Sequence, residues 1–190
     1  IVVNGVYSPY TEVATRYYRL RILNGSNARV YNLAFSNNAD MIIIGNDGGL
    51  LKNPVTVKDI LIAPGERLDV LVNFSRVSVG TEIFLVSKEF AHGGDAQGKQ
   101  LFRIMKFKVT TAASDTFIVP SNLSTFNAIP ASSSVKTRTF EISNAMEHDG
   151  MPMNDGMQMR HRINGKLFDS SRIDENVAAN SNEIWVFDNS

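Results

Sequence analysis

What limits this chain most is the rhythm of its apolar runs. Across residues 1–111 they are short, recur about every 8–12 residues and are separated by Asn, Gly, Pro, Asp and Ser, the spacing of an antiparallel β-sandwich or barrel. No window of roughly 11 or more residues there carries the period of an amphipathic helix. Tyr18, Leu20 and Ile22 alternate with Arg19 and Arg21, so a strand here has one apolar and one charged face. Tyr31, Leu33 and Phe35 repeat the pattern, whereas Met41-Ile42-Ile43-Ile44 is apolar on both faces, as a central strand would be. Val55 and Val57, Leu61, then Leu68, Val70 and Val72, and two later runs at 81–87 and 101–109 continue the series. Asn4-Gly5, Asn24-Gly25-Ser26-Asn27, Asn46-Asp47-Gly48-Gly49 and Pro64-Gly65 supply the turns between them.

Residues 112–137 break this rhythm. Ser, Thr, Ala and Asn dominate, Pro120 and Pro130 interrupt, and the apolar residues keep no period, which reads as a connector packed along a surface. Strand patterning returns at Thr139-Phe140-Glu141-Ile142 and at Glu183-Ile184-Trp185-Val186-Phe187-Asp188. At 190 residues the chain exceeds a typical domain of roughly 100–150 residues. The expectation is therefore an all-β chain: one sandwich domain over 1–111, a connector over 112–137, and an incomplete second domain over 138–190. So few strands in that last piece would leave an open sheet edge and a partial core, so it either docks on a partner or continues in a longer protein.

Composition narrows the function classes. Nineteen basic and nineteen acidic residues cancel and are scattered, so no electrostatic footprint for nucleic acid or an anionic membrane is present, and neither partner is expected. No apolar run approaches the roughly 20 residues of a membrane span, and the N-terminus lacks signal-peptide character. The absence of Cys removes disulfides and thiolate metal sites from this chain.

Three pieces in a fixed order carry a family signature: Tyr18-Arg19-Leu20-Arg21-Ile22-Leu23-Asn24-Gly25-Ser26, Gly45-Asn46-Asp47-Gly48-Gly49-Leu50-Leu51 and Ala63-Pro64-Gly65-Glu66-Arg67-Leu68-Asp69-Val70. Together they resemble the middle cupredoxin domain of three-domain multicopper oxidases, in the bacterial group of spore-coat laccase, bilirubin oxidase and cuprous oxidase. Ile163-Asn164-Gly165-Lys166-Leu167-Phe168-Asp169, followed by Glu183-Ile184-Trp185-Val186, resembles the opening of their third domain. The resemblance implies a cupredoxin-like Greek-key β-sandwich followed by an incomplete second cupredoxin-like domain.

In function it implies one-electron substrate oxidation at a type 1 copper, coupled to reduction of dioxygen to water at a trinuclear copper cluster. The family's ligands form His-x-His pairs, a His-Pro-x-His-x-His run and a His-Cys-His run, and none of these occurs here. His92, His148 and His161 are the only histidines, and a type 1 site cannot be built without Cys. Copper is thus expected in the intact enzyme and not in this chain, whose role would be structural: to space the flanking copper-binding domains of the same protein. The chain alone is expected to be inactive, cut on both sides of its redox machinery, and the intact enzyme to work outside the cytoplasm, periplasmic or secreted. The competing reading is a stand-alone β-sandwich binding or adhesion module with no redox role.

No residue is assigned a catalytic part. Asp47-Gly48-Gly49 reads as a turn, and Glu66, Arg67 and Asp69 as ion pairs or turn caps at a strand start. One stretch, residues 146–161, has chemical character: it holds Met146, Met151, Met153, Met157 and Met159 together with His148, Asp149, Asp155 and His161. Thioethers suit Cu(I), which makes Met151, Met153, Met157, Met159 and His161 accessory Cu(I) candidates. The plainer account is core packing, since Met157, Met159, His161 and Ile163 would share one face of a strand. Asn24, Asn73 and Asn122 each begin an Asn-x-Ser pattern of the kind that accepts glycans.

Overall fold

The computed structural model describes residues 1–91, 97–147 and 158–189. Among them are strands, loops and one 3-10 turn, Ala131–Ser133, and no helix long and apolar enough to cross a membrane. The chain divides into two compact units, Ile1–Phe126 and Asn127–Ser190, with the boundary inside the expected connector.

The first unit opens with a hairpin of β1 (Val2–Val3) and β2 (Val6–Tyr7). Its turn is the Asn4-Gly5 pair at φ 51° and 81°, the two successive positive φ values of a type I′ turn. Two sheets follow. The first has the order β3 (Tyr10–Ala14), β11 (Phe102–Thr111), β10 (Glu82–Ser87), β5 (Tyr31–Phe35), β8 (Asp59–Ile62), antiparallel except for the parallel β3–β11 pair. The second is antiparallel throughout: β4 (Tyr17–Leu23), β9 (Arg67–Asn73), β6 (Met41–Asn46), β7 (Gly49–Val57).

Alternation in the strands becomes a two-layer core. Val13, Leu33, Phe35, Ile62, Ile83, Leu85, Phe107 and Val109 come from the five-stranded sheet and Met41, Ile43, Val70 and Val72 from the four-stranded one. Phe74, just past β9, joins Phe35 and Phe107 with ring centroids 6.3 and 5.5 Å away, and Phe35 lies 5.7 Å from Phe107. Burying each such ring contributes about 1.5–3 kcal/mol. In β6, Met41 and Ile43 face the core while Ile44 on the other face lies under residues 117–123, so residues 41–44 carry no polar face. Gly45 marks a bulge in it; a Cβ there would sit 2.9 Å from the Gly49 carbonyl oxygen, so the close approach requires glycine.

The second unit contains β12 (Ser134–Glu147) flanked by β13 (Gln158–Ile163), antiparallel, and β14 (Asn182–Asp188), parallel. Phe140 is its buried apolar residue among those described, stacked 5.3 Å from Phe187 and 4.8 Å from Trp185. β12 is much longer than Thr139–Ile142 patterning suggests and begins inside the expected connector. Val135 in its first turnings is 72% exposed, so pairing with β14, rather than an apolar face, specifies this part of the strand.

Candidate functional site

The three pieces that carry the family resemblance meet around one end of β4 and β9, and their polar groups are engaged with one another. Asn24 is 4% exposed. Its Nδ2 donates to the carbonyls of Arg29 (2.8 Å) and Ile62 (3.0 Å), and its Oδ1 accepts from the Ser26 N–H (3.1 Å) and hydroxyl (2.6 Å). The Asn24 N–H donates to the Glu66 carbonyl and its own carbonyl accepts from the Gly65 N–H, so this one residue ties two of the motifs together. Sequence reading takes Asn24 as the end of a strand; nothing local reveals a partner 38 positions away.

The charges follow suit. Glu66 caps its own turn by accepting the Ala63 N–H at 2.6 Å, where Gly65 stands at φ 85° after Pro64. Asp47 accepts the Arg67 N–H at 3.0 Å and pairs with the Arg67 guanidinium at 2.9 Å. Asp69, whose register partner on β4 is Arg21, is reached diagonally by Arg19 in a two-pronged contact. Hydrogen bonds from Arg19 hold its carboxyl below the usual range. Glu66, Arg67 and Asp69 are therefore ion pairs and caps, with no carboxylate left poised for proton transfer.

Residues 112–126 form a strap across the outer face of the four-stranded sheet. At the β4 edge the Ala113 N–H donates to the Thr15 hydroxyl, and Asp115 accepts from the backbone N–H groups of Tyr17 (2.6 Å) and Phe117 (2.8 Å). Those bonds lower the Asp115 pKa. At the β7 edge the Leu123 N–H donates to the Lys52 carbonyl, the Asn53 amide to the Ser121 carbonyl and the Ser124 hydroxyl to the Leu51 carbonyl. Between these anchors runs a groove of about 690 Å³, with Tyr17 and Phe117 edge to face at 5.2 Å and Ile44, Leu50 and Leu71 in its floor and wall.

In the second unit, Arg138 on β12 reaches Glu183 on β14 through Nε (2.6 Å) and Nη2 (2.9 Å), contacts Glu175 through Nη1 and donates to the Asn176 carbonyl. The Arg138 and Glu183 side chains are 11% and 6% exposed. Hydrogen bonds from Arg138, then from the Trp185 indole, pull the Glu183 carboxyl from its ordinary 4.5 down to about 2. A carboxylate whose folded pKa is depressed contributes stability that is full above its ordinary value and lost as pH falls toward the folded one. Unfolding of this unit, followed through Trp185, the chain's one tryptophan, should therefore keep its urea midpoint from pH 7 to 5 and lose it progressively from 4.5 toward 2. A midpoint flat down to pH 2, or one unaltered in its pH profile by Glu183→Gln, would remove the Arg138–Glu183 link.

Of the accessory Cu(I) candidates, Met151, Met153 and Met157 lie outside the described residues, as do His92, His148, Asp149 and Asp155. Met159 stands in β13 with its backbone opposite Met146, and His161 is exposed, opposite Asn144. Among the described residues, no group of three or more His, Cys, Asp or Glu is arranged to hold a metal ion.

Comparison with known proteins places this architecture. Residues 10–101 match the family model described as multicopper oxidase. The laccase of Bacillus subtilis (strain 168) is 34% identical over 155 residues, covering 80% of this chain and 30% of that protein. A solved bacterial laccase-like multicopper oxidase, CueO from the lignin-degrading bacterium Ochrobactrum sp., superposes with a TM-score of 0.76 at 34% identity, over 98% of this chain and 41% of its own. The chain belongs to the multicopper oxidases. Its fold is the cupredoxin-like β-sandwich of that family, the sandwich being what the turn and strand pattern leads one to expect and the cupredoxin type what the resemblance implies. One further relative of this multicopper oxidase chain, the cell division protein FtsP of Xenorhabdus nematophila, is 32% identical over 98% of the chain and 37% of its own length. The chain spans about a third of the length of these relatives. Copper is the family's cofactor, but the residues here do not fit a family copper site: Cys is absent and the described residues assemble no ligand group.

Proposed function

We propose that this chain is the structural middle part of a laccase-like multicopper oxidase, with the opening of the following domain, and that it spaces the copper-binding domains of the same polypeptide. In the intact enzyme those domains would oxidise substrate and pass electrons to dioxygen. The observation that carries this is the fold likeness over nearly the whole chain combined with the fate of its charged motif residues, which are spent on turns and strand pairing. The expected result is oxygen uptake with phenols by the full-length, copper-loaded protein and none by the 190-residue chain incubated with copper. Uptake by the chain alone would overturn the structural role. By family resemblance the enzyme works outside the cytoplasm; recovery of the full-length protein in the cytosolic fraction would contradict that.

A binding role without redox chemistry is the second reading, favoured by the relative that bears the name of a cell division protein. The two part on the full-length protein's metal content. Copper retained after dialysis, with His-Pro-x-His-x-His and His-Cys-His runs in the complete sequence, supports the oxidase; a copper-free protein lacking both supports the binding module.

A further inference from the structure

Asn-Gly occurs three times in this chain, at Asn4-Gly5, Asn24-Gly25 and Asn164-Gly165. The glycine nitrogen has no Cβ beside it, so in each pair it approaches the preceding side-chain amide carbon with the least steric hindrance. How the fold holds the asparagine side chain decides whether that approach happens.

Two of the three side chains are tied. Asn24 is 4% exposed, donates both amide protons and accepts twice at its oxygen. Asn164 is exposed, yet its Oδ1 accepts the Glu141 N–H at 2.8 Å and its Nδ2 donates to the Thr139 carbonyl at 3.3 Å. The Asn164 N–H donates to the Glu141 carbonyl, and Arg162 donates to the Gly165 carbonyl at 2.7 Å. Behind this turn β13 is paired to β12 at six register positions, from Ile142–Ile163 to Glu147–Gln158.

Asn4 has nearly the same backbone without those ties. Asn4 and Gly5 stand at φ 51° and 81°, Asn164 and Gly165 at 51° and 72°. Asn4 is exposed, and among the described residues no hydrogen bond engages its side chain. A Cβ added at Gly5 would meet nothing within 4 Å, so the space around the turn is open. β1 and β2 form a sheet of their own with two register pairs, Val2–Tyr7 and Val3–Val6. A hairpin that short is marginal by itself, so its turn opens more readily than one closing a six-pair ladder.

We propose that Asn4-Gly5 is a modification site, where the side-chain amide is lost through a cyclic imide while Asn24 and Asn164 are retained. The Gly5 nitrogen attacks Asn4 Cγ; the new C–N bond forms, the Cγ–Nδ2 bond breaks, and ammonia leaves carrying the Gly5 N–H proton. Water then opens the ring, at Cγ to give aspartate or at the main-chain carbonyl to give isoaspartate. Nothing is oxidised or reduced. Isoaspartate carries the chain through Cβ and Cγ, lengthening a turn that has only two residues, so β1 and β2 separate and a carboxylate replaces a neutral amide. Releasing Asn164 for the same chemistry requires breaking two side-chain hydrogen bonds that Asn4 lacks, which slows it about 10-fold or more.

The full-length protein is held at mildly alkaline pH and physiological temperature. Its tryptic peptides are followed by mass spectrometry for replacement of –NH2 by –OH, with aspartate and isoaspartate forms separated by chromatography. In the native protein Asn4 should convert about 10-fold faster than Asn164, with Asn24 slower still, and the three rates should converge in denaturant. Equal native rates at Asn4 and Asn164 overturn the site, as does an Asn4 that persists in the native protein while converting in denaturant. Gly5→Ala, compared with wild type in denaturant so that loss of the hairpin plays no part, should slow conversion at Asn4 several-fold, since a Cβ now crowds the attacking nitrogen. An unchanged rate there, or aspartate as the sole product, means direct hydrolysis of the amide and overturns the route through Gly5.

Discussion

Phe107→Ala should cost the first unit about 3–5 kcal/mol, the usual loss when a fully buried aromatic is truncated. Phe107 is 1% exposed and its ring packs with those of both Phe35 and Phe74, so the cavity opens inside the core between the two sheets. Since domains are stable by only about 5–15 kcal/mol, the variant should sit near the edge of folding at 37 °C. Urea titration followed by far-UV circular dichroism measures it, with Phe107→Leu expected to lose much less. A loss below about 1 kcal/mol would mean that these rings are not the centre of the core.

Asn24→Ala is the second large effect, about 2–4 kcal/mol, because the Arg29 and Ile62 carbonyls lose a buried donor at once. Asn24→Asp sharpens the test. It keeps the acceptor for Ser26 but turns oxygen toward both carbonyls, so at neutral pH it should be at least as damaging as alanine. If Asn24→Asp is tolerated, the two donations are not what holds this corner. The same geometry bears on modification: the nitrogen that would carry a glycan at Asn24 is buried and donates both its protons. Of the three Asn-x-Ser patterns, Asn122 is exposed, whereas the side-chain oxygen of Asn73 accepts the Ser75 N–H in a local turn.

Much of the first unit is legible from local chemistry. Asn4-Gly5 and Pro64-Gly65 need positive φ within one or two residues, and the alternation of Tyr18, Leu20 and Ile22 against Arg19 and Arg21 reappears as packed and exposed faces of β4. The reading of Glu66, Arg67 and Asp69 as caps and ion pairs also stands, because charges at a strand start have neighbours within reach whatever the fold. The second unit was less readable. Its first strand is held by pairing with β14, and an exposed strand leaves no periodic trace.

By itself, then, the sequence determined most strands of the first unit, their turns, the family and the absence of thiolate chemistry, all of which depend on residue identity over a few positions. Only the tertiary structure decided that the polar-looking stretch 112–126 is a strap fastened to both edges of one sheet, that Asn24 reaches Ile62, and that Arg138 finds Glu183 across 45 positions. Each of these joins groups far apart in the chain. Their geometry is set by the order in which strands pair, which no local pattern encodes.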